Sequence, residues 1–418
     1  VTQGIQFVSV DKSTICQKGT GCPSVANLVF KTVDQTGAPQ PGLTVDFSLN
    51  NPVATLGATF GVTGSDGTVS VAVAANRTPS PLRVIAQVRG TSLQTVSNNL
   101  TISGGLPMAG TEPRNTGMSL AVSKNALLGG WASDYADLTL RLTDRWGAPA
   151  IDGTVVNLVA DGGTIVPAYC MTTNGACQVK LLVSNPTPTN GRVHVVAYAY
   201  GQESFTDANG NGVYDNGEAW IDVPAAVCMD KDESLSCDAS EYIVGNINLL
   251  NAGNGQWDDG GAAFASNQNT FFFSQSDAIP RLFQYINGHC SLNDPVDNNY
   301  MTVHMAGQLS ASITFCIVDG NTSADVRGGN PLPSGTSLSV AYVANTAITI
   351  DRSPVSLGAS GPTVHTLTVQ NVSAGGAALP DSSTSLTTTF PAPGYPSSPG
   401  STLPSPITLT QKIFIKSP

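Results

Sequence analysis

The chain has 418 residues, of which 11% are charged, with 43 glycines, 27 prolines and a net charge of −11. So little charge argues against long solvent-washed helices, and the acidic balance argues against nucleic acid and anionic membranes as partners. The length allows two to four domains, each with its own core. The chain begins at Val1 with no signal-like segment and no apolar run of membrane-spanning length. It reads as a processed or excised part of a secreted protein whose anchor lies elsewhere.

In chain order, Gly4 to Val10 reads as an extended terminal segment. The turn Asp34-Gln35-Thr36-Gly37-Ala38-Pro39 then leads to Val45, Phe47 and Leu49, which alternate with Thr44, Asp46 and Ser48. That period of two marks a strand buried on one face. Ser65-Asp66-Gly67 favours positive φ and is expected to close a hairpin leading to Val69, Val71 and Val73. Val84 to Gly90 is the next strand.

The same order returns. Leu138, Leu140 and Leu142 alternate with polar residues and precede the turn Asp144-Arg145-Trp146-Gly147-Ala148-Pro149. Thr173-Asn174-Gly175 and the strands Cys177 to Val183 and Val195 to Gly201 follow at a near-constant offset. A looser third copy begins at Gly329-Asn330-Pro331. Internal repetition of short alternating strands indicates antiparallel β-sandwiches in series. The expected boundaries are 1–103, a linker at 104–117, 118–224, an acidic insertion at 225–285, and 286–418. Ala219 to Val223 is the expected last strand of the second unit, and Ile407 to Ile415 that of the third.

Eight cysteines stand at 16, 22, 170, 177, 228, 237, 290 and 316, with no C-x-x-C spacing. Nearest-neighbour pairing is favoured: Cys16–Cys22, Cys170–Cys177, Cys228–Cys237 and Cys290–Cys316. This implies an oxidising compartment, with each short loop worth about 2–3 kcal/mol. Cys170 and Cys177 occupy the places of Val62 and Val69 in the first copy, so a covalent cross-strand pair is expected there.

Twelve of the 29 acidic residues lie between Glu203 and Asp259, where Lys231 is the only basic residue. Within this stretch, residues 207–218 fit the calcium loop D-x-[DN]-x-[DN]-G-x5-E at every defined position. Asp207, Asn209 and Asn211 would offer side-chain oxygens and Val213 its carbonyl. Asp215 would act directly or through water, and Glu218 would offer both carboxylate oxygens. A second loop repeats the spacing with Asp230, Asp232, Ser234, Ser236, Asp238 and Glu241, but Leu235 replaces the turn glycine. The Cys228–Cys237 bracket could impose that turn instead. A segment from Asn251 to Asp259 has a similar look without most of the ligands. The expected cofactor is Ca²⁺.

The Asp-x-x-Gly-x-Pro turn, the following (S/T)-(D/N)-G turn and the valine-rich strand resemble bacterial immunoglobulin-like domains of the invasin/intimin group. That resemblance covers residues 1–224 well and the remainder in part. It implies an all-β protein of tandem immunoglobulin-like antiparallel β-sandwiches with an acidic calcium-loop insertion, extracellular or at the cell surface and not an enzyme. The expected function is a structural and adhesive rod with a calcium-stabilised second joint, or a surface filament subunit. The alternatives are a glycan- or host-protein-binding module, which an exposed platform of Trp220, Tyr242 and Trp257 would favour, and an accessory region of a secreted hydrolase. Partners would be a second copy through strand exchange or a cell-surface ligand. His194 aligns with Arg83 beside a strand and is expected at the surface.

Overall fold

The computed structural model describes residues 2–17, 23–76, 78, 80–103, 105–111, 117–130, 134–209, 214–275, 280–295, 301–391 and 408–416. In the first unit, one sheet carries the strands Thr2–Val10, Val25–Asp34, Thr68–Ala75 and Ala54–Leu56 in that order. The facing sheet runs Gln94–Val96, Val84–Val88, Thr44–Leu49 and Phe60–Val62. Alternation aims Leu28, Phe30, Val71 and Val73 inward from one sheet and Val45, Phe47, Val84 and Ala86 from the other.

The two turn motifs pack against each other, which explains why they recur together. Asp34 Oδ1 accepts the N–H groups of Thr36 (2.8 Å) and Ala38 (2.9 Å). Asp144 Oδ1 accepts those of Trp146 (2.8 Å) and Ala148 (2.9 Å). The glycine of the second motif lies beneath the proline of the first. Leu142 N–H donates to the Gly175 carbonyl at 2.7 Å, and a Cβ on Gly175 would stand 2.8 Å from Pro149 Cβ. With φ at +68°, Gly175 is doubly constrained. Gly175→Ala is expected to cost about 1–3 kcal/mol, seen as a lower melting temperature of this unit. Gly147→Ala is the milder variant, because its Cβ would meet nothing within 4 Å.

The Ser65-Asp66-Gly67 and Thr173-Asn174-Gly175 turns are corners between sheets rather than hairpins within one. Tyr169–Met171 pairs with Val155–Ala160, whereas Ala176–Leu182 pairs with Tyr135–Leu142 in the opposite sheet. Antiparallel pairing across the turn is confined to one bridge, Thr173↔Ala176. The Cys170–Cys177 disulfide therefore joins the two sheets and is not the cross-strand pair expected.

The second unit also closes differently from the sequence reading. Trp220–Ile221 is not its last strand; it forms a small ribbon with Ser204–Phe205. The closing strand is Asp259–Gln275, which lies antiparallel to Arg192–Gln202 from Arg192↔Phe272 to Gln202↔Asp259. It gives Ala265, Phe271 and Phe273 to the core. The acidic segment, residues 203–258, is thus an excursion inside one hairpin of the second sandwich. The third unit starts at Arg281–Ile286, which belongs to a five-stranded sheet, and also has a four-stranded one.

All three units share one topological detail: an early strand lies parallel to the last. Thr14–Cys16 runs beside Leu100–Ser103, Ala126–Gly129 beside Asp259–Gln275, and Met301–His304 beside Thr408–Lys416. The fold is tandem immunoglobulin-like sandwiches. Disulfides Cys228–Cys237 and Cys290–Cys316 are formed as expected; Cys22 lies outside the described residues. No helix among those residues is long and apolar enough to cross a membrane.

The junction of the second and third units is closed by other residues than the acidic loops. Leu128 is buried in the third core. Asn125 N–H donates to the Leu357 carbonyl (2.9 Å), and Asn330 Nδ2 donates to the Asn190 carbonyl (2.7 Å).

Candidate metal centre

The excursion departs beside the linker between the first two units, where Gln202 N–H donates to the Pro107 carbonyl and the Gln202 carbonyl accepts from Ala109. The first acidic loop therefore stands at the linker end of the second unit, not at the second joint. The Arg145 guanidinium lies over Phe205, 3.4 Å from its centroid. Burial pushes its pKa down to about 10, against the attraction of Asp207, Asp144 and Glu218. Tyr214 stacks on Trp257 at 4.3 Å, with Phe205 and Trp220 edge-on to the same indole at 5.2 and 6.3 Å. Trp220, Tyr242 and Trp257 are all half-buried, so they form no exposed platform.

The two predicted loops share a backbone frame. In the first, Glu218 Oε1 accepts the Ala208 N–H at 2.8 Å, and Oε2 accepts the Asp215 N–H at 2.9 Å. In the second, Glu241 Oε1 accepts the Lys231 N–H at 2.6 Å, and Oε2 accepts the Asp238 N–H at 3.2 Å. In both, the carboxylate at position twelve gathers the amides of positions two and nine. Asn209 Nδ2 also donates to Asp215 Oδ2 at 2.7 Å. Asn211 and Val213, with their neighbours 210 and 212, lie outside the described residues.

The second loop carries its closing carboxylate deeper. Glu241 is 3% exposed and also accepts the Asp232 N–H at 3.2 Å. Asp230 accepts the Ser234 and Leu235 amides at 2.9 and 2.8 Å. Leu235, standing where the pattern wants glycine, adopts φ +64°. Carboxylate oxygens of Asp230, Asp232 and Glu241 lie within 4.8 Å of one another. The hydroxyls of Ser234 and Ser236 are 3.0 Å apart in the same loop. An all-oxygen donor set with three carboxylates suits a hard cation such as Ca²⁺. Asp238 serves as a cap instead: its Oδ1 accepts the Ser240 hydroxyl and amide, which holds its carboxyl below the usual range.

The excursion is fastened to the sheet beneath it. Val227 and Met229 pack on Val196 and Phe264. Gln268 exchanges two hydrogen bonds with the Asp230 backbone, at 2.9 and 2.8 Å. Arg192 Nε and Nη2 clasp Glu233 at 2.8 and 2.9 Å. His194 corrects the expectation of a surface residue, being 2% exposed. Its Nδ1 faces Asp161 at 2.8 Å and its Nε2 faces Glu233 at 3.2 Å.

Burial disfavours the charged imidazolium of His194, but the bonds and charges of Asp161 and Glu233 outweigh it and raise the pKa. A raised folded pKa contributes stability that is complete below the unfolded value of about 6.5 and is lost as pH rises through the folded one. The stability difference between wild type and His194→Gln should therefore shrink across that window, measured by urea unfolding from pH 5.5 to 8.5. A difference independent of pH would show that the imidazolium contributes nothing.

Sequence reasoning also passed over Glu203, which has no exposed surface. Its two oxygens accept the Val223 and Asp258 amides, each at 2.9 Å, tying both ends of the excursion together. Burial pushes its carboxyl up, and the charges of Asp258 and Asp222 add to that. The segment from Asn251 to Asp259 joins here, with Gly255 N–H on Asp222 Oδ2 and Asn254 Nδ2 on Asp258 Oδ2.

No family model matches the chain, and no curated protein matches it. Among solved structures it is similar to FdeC, an Escherichia coli adhesin, at 14% identity and a TM-score of 0.26, over 98% of each chain. It is similar to invasin, a bacterial integrin-binding protein, at 15% identity and a TM-score of 0.24, over 99% of this chain and 60% of that one. The D0–D1 domains of intimin match at 16% identity and a TM-score of 0.23, over 47% of this chain and 90% of theirs.

Proposed function

We propose that the chain is an extracellular structural and adhesive protein of serial immunoglobulin-like domains, in which Ca²⁺ occupies both loops of the excursion and fixes it on the second domain. The observation that supports this reading best is the frame common to the two loops, with the Glu218 and Glu241 carboxylates each drawing in two equivalent amides. The disulfides agree with an oxidising compartment, and the turn motifs resemble adhesive surface modules. The partner on this reading is a cell-surface ligand. Strand exchange with a second copy gains no support, because Thr2–Val10 and Thr408–Lys416 are both paired inside their own domains.

Isothermal titration of the full chain should find two Ca²⁺ equivalents, with dissociation constants of about 10⁻⁴–10⁻³ M as for other extracellular sites. Glu218→Ala should remove one equivalent and leave the other. Identical heats in the wild type and in a variant lacking both Glu218 and Glu241 would sink the reading.

A further inference from the structure

Between the outer face of the closing strand and the disulfide loop above it lies a cavity of about 570 Å³. That volume falls within the roughly 300–1,000 Å³ typical of small-molecule sites, which favour domain boundaries. Three separate parts of the chain meet around it: the strand Asp259–Gln275, the loop closed by Cys228–Cys237, and Ser360 of the third domain. The wall is fixed by covalent and hydrogen bonds, since Asn251 both accepts from the Cys237 amide (3.2 Å) and donates to its carbonyl (2.8 Å). This wall belongs to the second acidic loop, whose Asp230 and Ser236 also line the cavity.

We propose that this cavity binds a neutral saccharide of one or two rings. Its lining includes Val196 and Phe272, with the Arg192 guanidinium over the Phe272 ring at 4.8 Å. Carboxamides and hydroxyls, among them Asn125, Gln268 and Thr270, make up much of the wall. Such groups offer donors and acceptors side by side, matching the paired hydroxyls of a sugar. A hydroxyl group both donates and accepts, so a saccharide matches a wall that mixes carboxamides with hydroxyls.

Charge decides against the alternatives. Arg192 is already clasped by Glu233 through Nε and Nη2, and Asp230 is engaged by the Ser234 and Leu235 amides. An anionic ligand would meet Asp230, and a purely apolar one would strand the carboxamides.

The test uses the full chain in millimolar calcium on an array of immobilised neutral and sialylated saccharides, with a matched array of short peptides. Saccharides retained on the array are then titrated as free sugars in solution. Retention of neutral saccharides is expected. Asn125→Leu should weaken binding at least tenfold, and Ser360→Trp, an exposed change at the mouth, should abolish it while leaving the melting temperature unchanged. Retention of no saccharide, of sialylated ones only, or of peptides instead would overturn the proposal. So would sugar binding that survives both substitutions unchanged. Calcium binding is read separately by titration, so a failure of sugar binding and a failure of cation binding are told apart.

Discussion

Glu241→Ala should abolish cation binding at the second acidic loop and lower the stability of the second domain by about 2–4 kcal/mol, even in chelator. The carboxylate is almost fully buried and accepts three backbone amides, from Lys231, Asp232 and Asp238. Hydrogen bonds to a charged group are worth about 1.5–3 kcal/mol each, offset in part by water entering the space left behind. Glu218 is half-exposed and accepts two, so Glu218→Ala should cost less in chelator while removing its own cation site. Urea unfolding in chelator separates the two contributions, and terbium luminescence reads the sites. A Glu241→Ala protein as stable in chelator as the wild type would mean that the carboxylate does not brace the loop.

Ending the chain after residue 224 should leave the second domain unfolded, whereas ending it after residue 275 should not. The shorter chain lacks Asp259–Gln275, and with it the buried Ala265, Phe271 and Phe273 and the longest ladder of the domain. Removing one buried phenylalanine side chain costs about 3–5 kcal/mol; removing the whole strand takes away four, Phe264, Phe271, Phe272 and Phe273, and opens a sheet edge against the core. Amide spectra of the two truncated chains give the answer. A fully dispersed second domain in the shorter one would place the excursion and its closing strand outside the fold.

The sequence carried the repeating turns because their stabilising bonds are local. Asp34 and Asp144 satisfy amides two and four residues on, and the φ of Gly37 and Gly147 is a property of single residues. The spacing of the second acidic loop was legible for the same reason, and Leu235 shows that the turn survives without glycine. The closing strand was hidden by its own composition. Gln268 bonds to the excursion, and Ser266 and Thr270 line the cavity beneath it, so polarity there does not mark a loop. His194 misled because its partner at the equivalent place, Arg83, is solvent-exposed. The histidine is held between Asp161 and Glu233, the latter arriving from an excursion the first domain lacks. Cys170 and Cys177 were paired correctly but in the wrong geometry, since spacing around a turn does not say whether the chain changes sheet.

The parallel pairing of an early strand with the last one has a mechanical consequence. When such a protein is tethered at one end and gripped at the other, tension enters each domain near its first strands and leaves through its last. Parallel neighbours pulled in opposite directions slide along their common axis, so every rung between Ala126–Gly129 and Phe272–Gln275, or between Met301–His304 and Ile413–Lys416, bears the load at once. An antiparallel pair peeled from one end would instead release its rungs singly. Load that reaches these pairs meets them in shear, and the excursion, looped out between two strands that remain zipped, lies off the line of force.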